Sequence, residues 1–557
     1  MFARSAAPGF AIPILLGAGA ALYLVNLGGY PLYTKGEPRE AVTIFDIVHG
    51  GGWILPMRAG VEIPSKPLMM HWLGAILSIA AGRVNEWTVR LPSAMLAIAA
   101  MIACYLYVRR LFDDRIAMLS ALMLGTSVQY LQAGGGARVD STLTFFMTVA
   151  FFEFISIAEG LSRRWLVMYL AVAAAVLTKG PVGALLPALV ALIWIAIERR
   201  WDLIGRLHLL PGAALVAILG GGWYLAAGYA GGLDFFRKQI VAENLARFAG
   251  GPQFSEGHAH PFYYVEAALL AGFMPWSLLI PAPASRLARS PRPLGPRLRY
   301  LVVWFLTVLI FYNLARSKRG VYLLALYPAL TSIIAVSLGD AFSTNQTRSR
   351  WLGAFASLAG LTLAAAGCAA IAAPLMLKMN PAACAGLLAR FNISASGFMP
   401  ALGHAIVARW IVAIVLALAI AALGVFLIVV RPALEATVAL IAAGVVSITL
   451  TANLFVQPAI ANTIGLKAFT ADAMRIVGAN PVAYLEGLNY DVAFYSGRSI
   501  PIVRLGDRDQ PDYLFCSEDA FDRLDAAQSG GFSLVLTSGP TELNDTGGMV
   551  LLKRVRR

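Results

Sequence analysis

The chain has 557 residues, of which 59% are hydrophobic and only 13% charged, with a mean hydropathy of +0.71. Soluble domains carry about 25% charged residues, so the composition excludes a water-soluble globular protein. The formal net charge of +14 comes from basic residues scattered between apolar runs, with no continuous basic face of the kind a nucleic acid would need.

In chain order, apolar stretches begin near residues 9, 91, 116, 141, 165, 182, 208, 262, 300, 320, 352, 406 and 433. Each suits a helix crossing roughly 30 Å of hydrocarbon, which predicts an α-helical polytopic membrane protein of about 13 transmembrane helices. The first, from about Gly9 to Leu32, shows no small-residue cleavage site and reads as a retained helix. Residues 33–90 read as the first external loop, with short interfacial helices, and 231–261 as a second long external loop. The membrane domain extends to 456. After it, 457–557 alternates short apolar runs with turn-like segments, the pattern of a small α/β domain. Cys104 and Cys368 lie inside apolar runs, so the four cysteines make no disulfide framework.

Arginines set the orientation. Arg109, Arg110 and Arg115, then Arg163 and Arg164, Arg199, Arg200 and Arg206, the group from Arg286 to Arg299, and Arg348 with Arg350 fall in alternate loops, which the positive-inside rule makes cytoplasmic. The opposite face then receives the long loops, the tail and the lysines Lys35, Lys66, Lys179, Lys238, Lys318, Lys378 and Lys467. With an odd number of spans, the N-terminus is cytoplasmic and the C-terminus external.

Cations on the outer face run against the topogenic bias, and here they stand among residues suited to chemistry. In "YTKGEPREA" (33–41), Pro38 separates Glu37 from Arg39. Because proline suits a first helical turn, Glu37 is expected to close the first span and Arg39 and Glu40 to open a surface helix; a purely anchoring charge cluster is the alternative. In "EIPSKPLMMHW", Lys66 sits between prolines ahead of an apolar segment of about 15 residues, too short for a span. In "QAGGGARVD", three glycines permit close backbone approach beside Arg138 and Asp140, the latter also a candidate helix cap. "LTKGPVG" supplies Lys179, and "ARSKRGVY" supplies Lys318 and Tyr322. The 231–261 segment holds Glu243, Arg247, Glu256, His258 and His260; two histidines two residues apart make a candidate divalent-metal (zinc) site, although not at a standard structural spacing. Cations at the outer membrane boundary fit a phosphate headgroup, and a neighbouring carboxylate fits a general base.

In their order along the chain, these motifs resemble the GT-C membrane glycosyltransferases, in particular the bacterial lipid A aminoarabinose transferases, relatives of the protein O-mannosyltransferases. The resemblance covers about residues 10–330 and, in layout only, the tail. It implies transfer of 4-amino-4-deoxy-L-arabinose from undecaprenyl phosphate to lipid A phosphate at the periplasmic face of the bacterial inner membrane, with polymyxin resistance as the result. By position it implies carrier-phosphate binding by Arg39 and Lys66, and phosphate contacts by Lys179, Lys318 and Arg138. It also implies an acidic site residue at Asp140, a pocket tyrosine at Tyr322 and a loop histidine at His258. Glu37 and Asp140 are the catalytic candidates, undecaprenyl-linked sugar and lipid A the partners, and the chain is expected to act as a monomer without nucleic acid. Two departures stand out. Gly36 occupies the first place of a usual Asp-Glu pair, and Ser65 replaces a Glu often found beside the lysine, which removes a donor from the zinc candidate His258 and His260. A GT-C enzyme acting on a protein hydroxyl or another glycan, and a non-enzymatic transporter of anionic lipid, are the competing readings.

Overall fold

The computed structural model describes residues 8–34, 36–249, 260–283, 294–343, 350–379, 395–430, 432–505, 511–523, 531–538 and 548–555, with single positions 382, 386 and 507. Among the described residues before 465, most are helical. Among the described residues, eight helices are long and apolar enough to cross a membrane, or ten if two sharply bent pairs each count as one span. The chain is a multi-pass membrane protein.

Helix α1 (Pro8–Tyr23) leads into the segment before residue 86, which holds two short helices, α2 (Glu37–Val48) and α3 (Met69–Ala80). Helix α2 begins one step earlier than expected, at Glu37, with Pro38 in its first turn and Gly36 as its N-cap at φ 98°. Gly36 is therefore a conformational requirement, because side-chain-bearing residues adopt that left-handed geometry only at a cost. Helix α4 (Glu86–Leu111) starts in a capping box between Asn85 and Thr88, in which each side chain bonds the other's backbone N–H. Helix α5 (Asp114–Gly125) bends by 67° into α6 (Val128–Gly134); α7 (Val139–Ala158), α8 (Trp165–Lys179) and α9 (Val182–Glu198) follow. Their shared core is aromatic: Trp304 stacks on Phe151 with ring centroids 4.3 Å apart, and Trp194 meets Phe154 edge-on.

The 231–261 stretch, expected to be a loop, is helical in its described part. Residues Leu209–Ala249 run as one 41-residue helical stretch, broken at Gly232 (φ 59°, ψ −152°) and wound as a π-helix over Arg237–Ala246. The helical stretch Glu435–Ile464 passes through residue 457, and the next helix, Lys467–Val477, packs with the strands that follow it.

The C-terminal unit holds a mixed sheet in the order β2-β1-β3-β5-β4 (β1 Val482–Leu485, β2 Ile502–Val503, β3 Tyr513–Ser517, β4 Phe532–Thr537, β5 Met549–Arg554). Alternation sends Val482, Tyr484, Phe515 and Leu551 into one apolar cluster and Ala483, Leu485, Leu514 and Leu552 into another. The central strands are thus covered on both faces, which explains their unbroken apolar sequences. The short helix Tyr490–Ser496 projects Ala493 and Phe494 into a cluster with Val42, Ile44 and Ile47 of α2. This contact docks the C-terminal unit onto α2.

Candidate active site

The segment leading into α3 lies against the π-helical turn at three points. Lys66 Nζ is 2.7 Å from Glu243 Oε2, Gln239 Nε2 donates to the Pro64 carbonyl, and Lys238 Nζ lies 3.4 Å from Glu62 Oε1. Arg247, one turn beyond Glu243, closes on the same oxygen at 2.9 Å. Two cations therefore share one carboxylate. Burial pushes the Lys66 ammonium below the usual lysine range, and the neighbouring Arg247 charge adds to this against the opposing pull of Glu243.

The facing wall comes from helix ends. Asp140 in the first turn of α7 contacts Lys179, the last residue of α8. Lys179 Nζ also sits 4.3 Å from the Tyr322 ring centre, a cation–π distance, and Arg247 Nη1 reaches the Tyr322 hydroxyl at 3.4 Å. The turn after Lys179 needs Gly180, which has φ 83°; a Cβ there would lie 2.9 Å from the Tyr224 hydroxyl. Residues 316–317 pair with 247–248 through backbone hydrogen bonds and lead to the buried Lys318, whose ammonium donates to the Ala315 carbonyl.

These walls enclose a cavity of about 400 Å³, lined by Lys66, Lys179, Glu243, Arg247 and Tyr322 together with apolar Ile240, Phe248 and Phe311. Lys66, Lys179 and Arg247 outnumber Glu243 and Asp140, the two carboxylates that pair with them, and Arg247 Nε is buried without a hydrogen-bond partner. Buried donors normally find acceptors, so the cavity suits an anion carrying several oxygens.

A second cavity, about 530 Å³, is lined by Tyr30, Tyr33, Glu37, Gln132, Gly136 and Arg138, among others. Val321 borders this cavity and Tyr322 the first. The Arg138 guanidinium has no hydrogen-bond or ion-pair partner among the described residues. Glu37 is fully committed. It accepts from Arg90 Nε at 2.8 Å and from the Ala137 amide at 3.0 Å, while Arg90 also binds the carbonyls of Leu27, Tyr30 and Pro31. Burial alone would raise the Glu37 carboxyl; the Arg90 guanidinium overrides it and holds the group down at about 2. A Cβ on Gly136 would stand 3.2 Å from Glu37 Oε1, which accounts for one glycine of the GGG run. Arg39 pairs with Glu40 at 3.0 Å, Glu40 bonds His71 Nε2 at 2.7 Å, and Arg39 lines neither cavity.

Of the residues singled out in the sequence, Lys66, Lys179 and Tyr322 line one cavity, Asp140 braces it and Lys318 follows its wall. Arg138 faces the other cavity, Glu37 clamps the loop, and Arg39 lines neither cavity but lies within reach of the charge of Glu243. His258 lies outside the described residues. His260 stacks on Tyr264 with centroids 3.8 Å apart, and no group of three or more metal-donor side chains occurs among the described residues. Glu243 and Asp140 are both paired with cations. Arg247, Glu243 and Arg90 were not assigned to the site from sequence. The four-residue spacing of Glu243 and Arg247, which puts both on one helix face, is the signal that identifies the first two.

The helical architecture is a polytopic membrane fold of GT-C type. Residues 65–239 match the sequence family of dolichyl-phosphate-mannose-protein mannosyltransferases. Over 318 residues, 56% of this chain and 56% of the relative, the chain is 31% identical to the undecaprenyl phosphate-alpha-4-amino-4-deoxy-L-arabinose arabinosyl transferase of Pseudomonas aeruginosa (strain UCBPP-PA14). It is 28% identical to the second such enzyme of Pseudomonas fluorescens (strain Pf0-1) over 63% of each chain. These matches span a little over half the length of those proteins. The crystal structure of ArnT from Cupriavidus metallidurans bound to undecaprenyl phosphate covers 98% of both chains with a TM-score of 0.75 at 20% identity, and its apo form gives 0.73. The fold is shared along the whole chain.

Proposed function

We propose that this protein transfers 4-amino-4-deoxy-L-arabinose from undecaprenyl phosphate to a phosphate of lipid A at the periplasmic face of the inner membrane, so conferring resistance to polymyxin and cationic peptides. The observation that carries this reading is the meeting of Lys66, Arg247 and Lys179 at one cavity with an unfilled donor. The named activity of the arabinosyl transferase relatives supplies the sugar and carrier. In this reading the chain works as a monomer with thirteen spans, a cytoplasmic N-terminus and a periplasmic C-terminus, and α2 and α3 lie along the membrane surface.

The electrostatics suit the chemistry. The donor is a phosphodiester carrying one negative charge. An oxygen of the acceptor phosphate attacks C1 of the sugar with inversion, and the C1–O bond to the carrier breaks with its electron pair. The released carrier is a phosphate monoester with greater negative charge. Preorganised cations stabilise that growing charge more than the starting diester, the condition for lowering a barrier. Lys66, Arg247 and Lys179 hold the carrier phosphate, and Arg138, with no competing carboxylate, meets the acceptor phosphate in the second cavity. Asp140 holds Lys179 in place. An anionic acceptor needs no deprotonation, so Glu37 can remain locked to Arg90.

Mass spectrometry of lipid A from a host lacking its own transferase tests the proposal. The wild-type gene adds aminoarabinose and the Lys66→Ala gene adds none. Unmodified lipid A with both genes, or a sugar found on protein instead, contradicts it.

A further inference from the structure

The π-helical turn that carries Glu243 and leads directly into Arg247 is poorly held by its own sequence. Val241 and Leu245 are more than half exposed, and a ten-residue π-helix lacks the regular packing of an α-helix. Its position must come from tertiary contacts: at its end the backbone pairing of 247–248 with 316–317, along it the packing of Ile240 with Leu68, Val176 and Trp223, and its polar contacts with residues 62–66. Glu62 is the outermost of them and the most connected. It takes Lys238 of the turn, Arg58 Nη1 at 3.2 Å, and the hydroxyl of Tyr490 from the C-terminal unit. Arg58 is fully buried, bonds Thr43 of α2 through Nε at 3.1 Å, and lies 5.7 Å from the Tyr490 ring centre. One carboxylate thus joins α2, the C-terminal unit and the turn leading into the anion-binding arginine.

We infer that the C-terminal domain sets the geometry of the carrier-phosphate cavity through Tyr490, which acts on Glu62 and, through Lys238, on the 237–247 turn. This makes Tyr490 and Glu62 positioning residues, and it gives the C-terminal domain a role in substrate affinity. The inference rests on the reading of the cavity given above. A hydrogen bond from a phenol to a carboxylate is charge-assisted and stronger than a neutral one. Losing it frees Glu62, already about a third exposed, to leave Lys238.

Two measurements on the full-length protein, with Tyr490→Phe and Glu62→Gln, separate this inference from the functional reading. Hydrogen exchange without ligand is expected to speed up across 237–247 by about tenfold in either variant, the size set by one hydrogen bond to a charged group. The double variant should be no faster than either single one, because both break the same connection. Exchange unchanged from wild type in both variants overturns the inference, whatever the protein's activity. Titration with undecaprenyl phosphate should show weaker binding in Tyr490→Phe, with kcat at saturating donor retained. Normal binding in Tyr490→Phe alongside weakened binding in Lys66→Ala overturns the inference and leaves the cavity reading standing. Normal binding in Lys66→Ala overturns the cavity reading, and exchange alone then decides the role of Tyr490.

Discussion

Lys66 and Glu243 stand 2.7 Å apart although 177 residues separate them in the chain. The pair joins the segment before α3 to the end of a broken helix, and the Glu243 charge opposes the effect of burial on the lysine. A carboxylate in this position also competes with any incoming anion for both Lys66 and Arg247.

Glu243→Gln is therefore expected to leave two close cations without their counter-charge. The ligand-free protein should melt at a lower temperature, and undecaprenyl phosphate should produce a larger stabilising thermal shift than in wild type, since only proteins that bind the ligand gain that stability. A smaller shift than wild type would show that Glu243 helps to bind the carrier rather than holding its place.

Asp140→Asn should act differently. It releases Lys179, whose ammonium is held between Asp140 and the Tyr322 ring. Turnover is expected to fall by about a hundredfold, the order seen when one preorganised stabilising group is lost, and binding of undecaprenyl phosphate, which Lys179 also holds, should weaken with it. Steady-state kinetics beside a binding titration checks this.

Glu37→Ala is expected to fail through stability. Removing one partner of a buried ion pair costs about 3–5 kcal/mol, and Arg90 would be left facing three carbonyls and an empty site. Melting temperature and yield of inserted protein should fall together. A stable Glu37→Ala protein with lost turnover would instead give Glu37 a catalytic role.

The site was only partly legible in the sequence, for physical reasons. Lys66, Lys179 and Lys318 could be found because lysines on an external face oppose the positive-inside bias. Tyr322 could be found because it follows such a cluster. Glu243 and Arg247 were obscured because paired glycines at 231–232 and a run of charges imitate a loop, whereas one left-handed glycine and a π-helical turn carry the helix on to Ala249. Arg90 was obscured because a single arginine near the start of an apolar run resembles an interfacial anchor; only the fold brings Glu37 to it. The missing acid at position 36 has its explanation in the backbone, which needs glycine at φ 98°. In the tail, the strand pattern announced the α/β unit, but nothing in it pointed to Tyr490 reaching Glu62.

Asp491 offers a pH-dependent test of the interface between that unit and α2. Burial pushes its carboxyl up to about 7, with the nearby negative charge of Glu37 adding to the effect. A folded-state value above the unfolded one means that the folded state binds the proton more tightly. Its contribution is fully present below about pH 4 and is lost as pH rises through 7. Asp491→Asn should thus gain stability over wild type as pH is raised from 5 to 8, by roughly 2–3 kcal/mol at about 1.4 kcal/mol per pH unit up to the folded value. Parallel melting curves for the two proteins at pH 5 and 8 would show no such divergence if Asp491 is charged in the fold.

The central claim is that Lys66 and Arg247 hold a carrier phosphate, and the most direct test is equilibrium binding of undecaprenyl phosphate to purified wild-type, Lys66→Ala and Arg247→Ala proteins. Each lost charge-assisted contact should weaken binding by about ten- to a hundredfold, with less loss at high salt, where the electrostatic share is screened. Affinities in both variants equal to wild type would contradict the account.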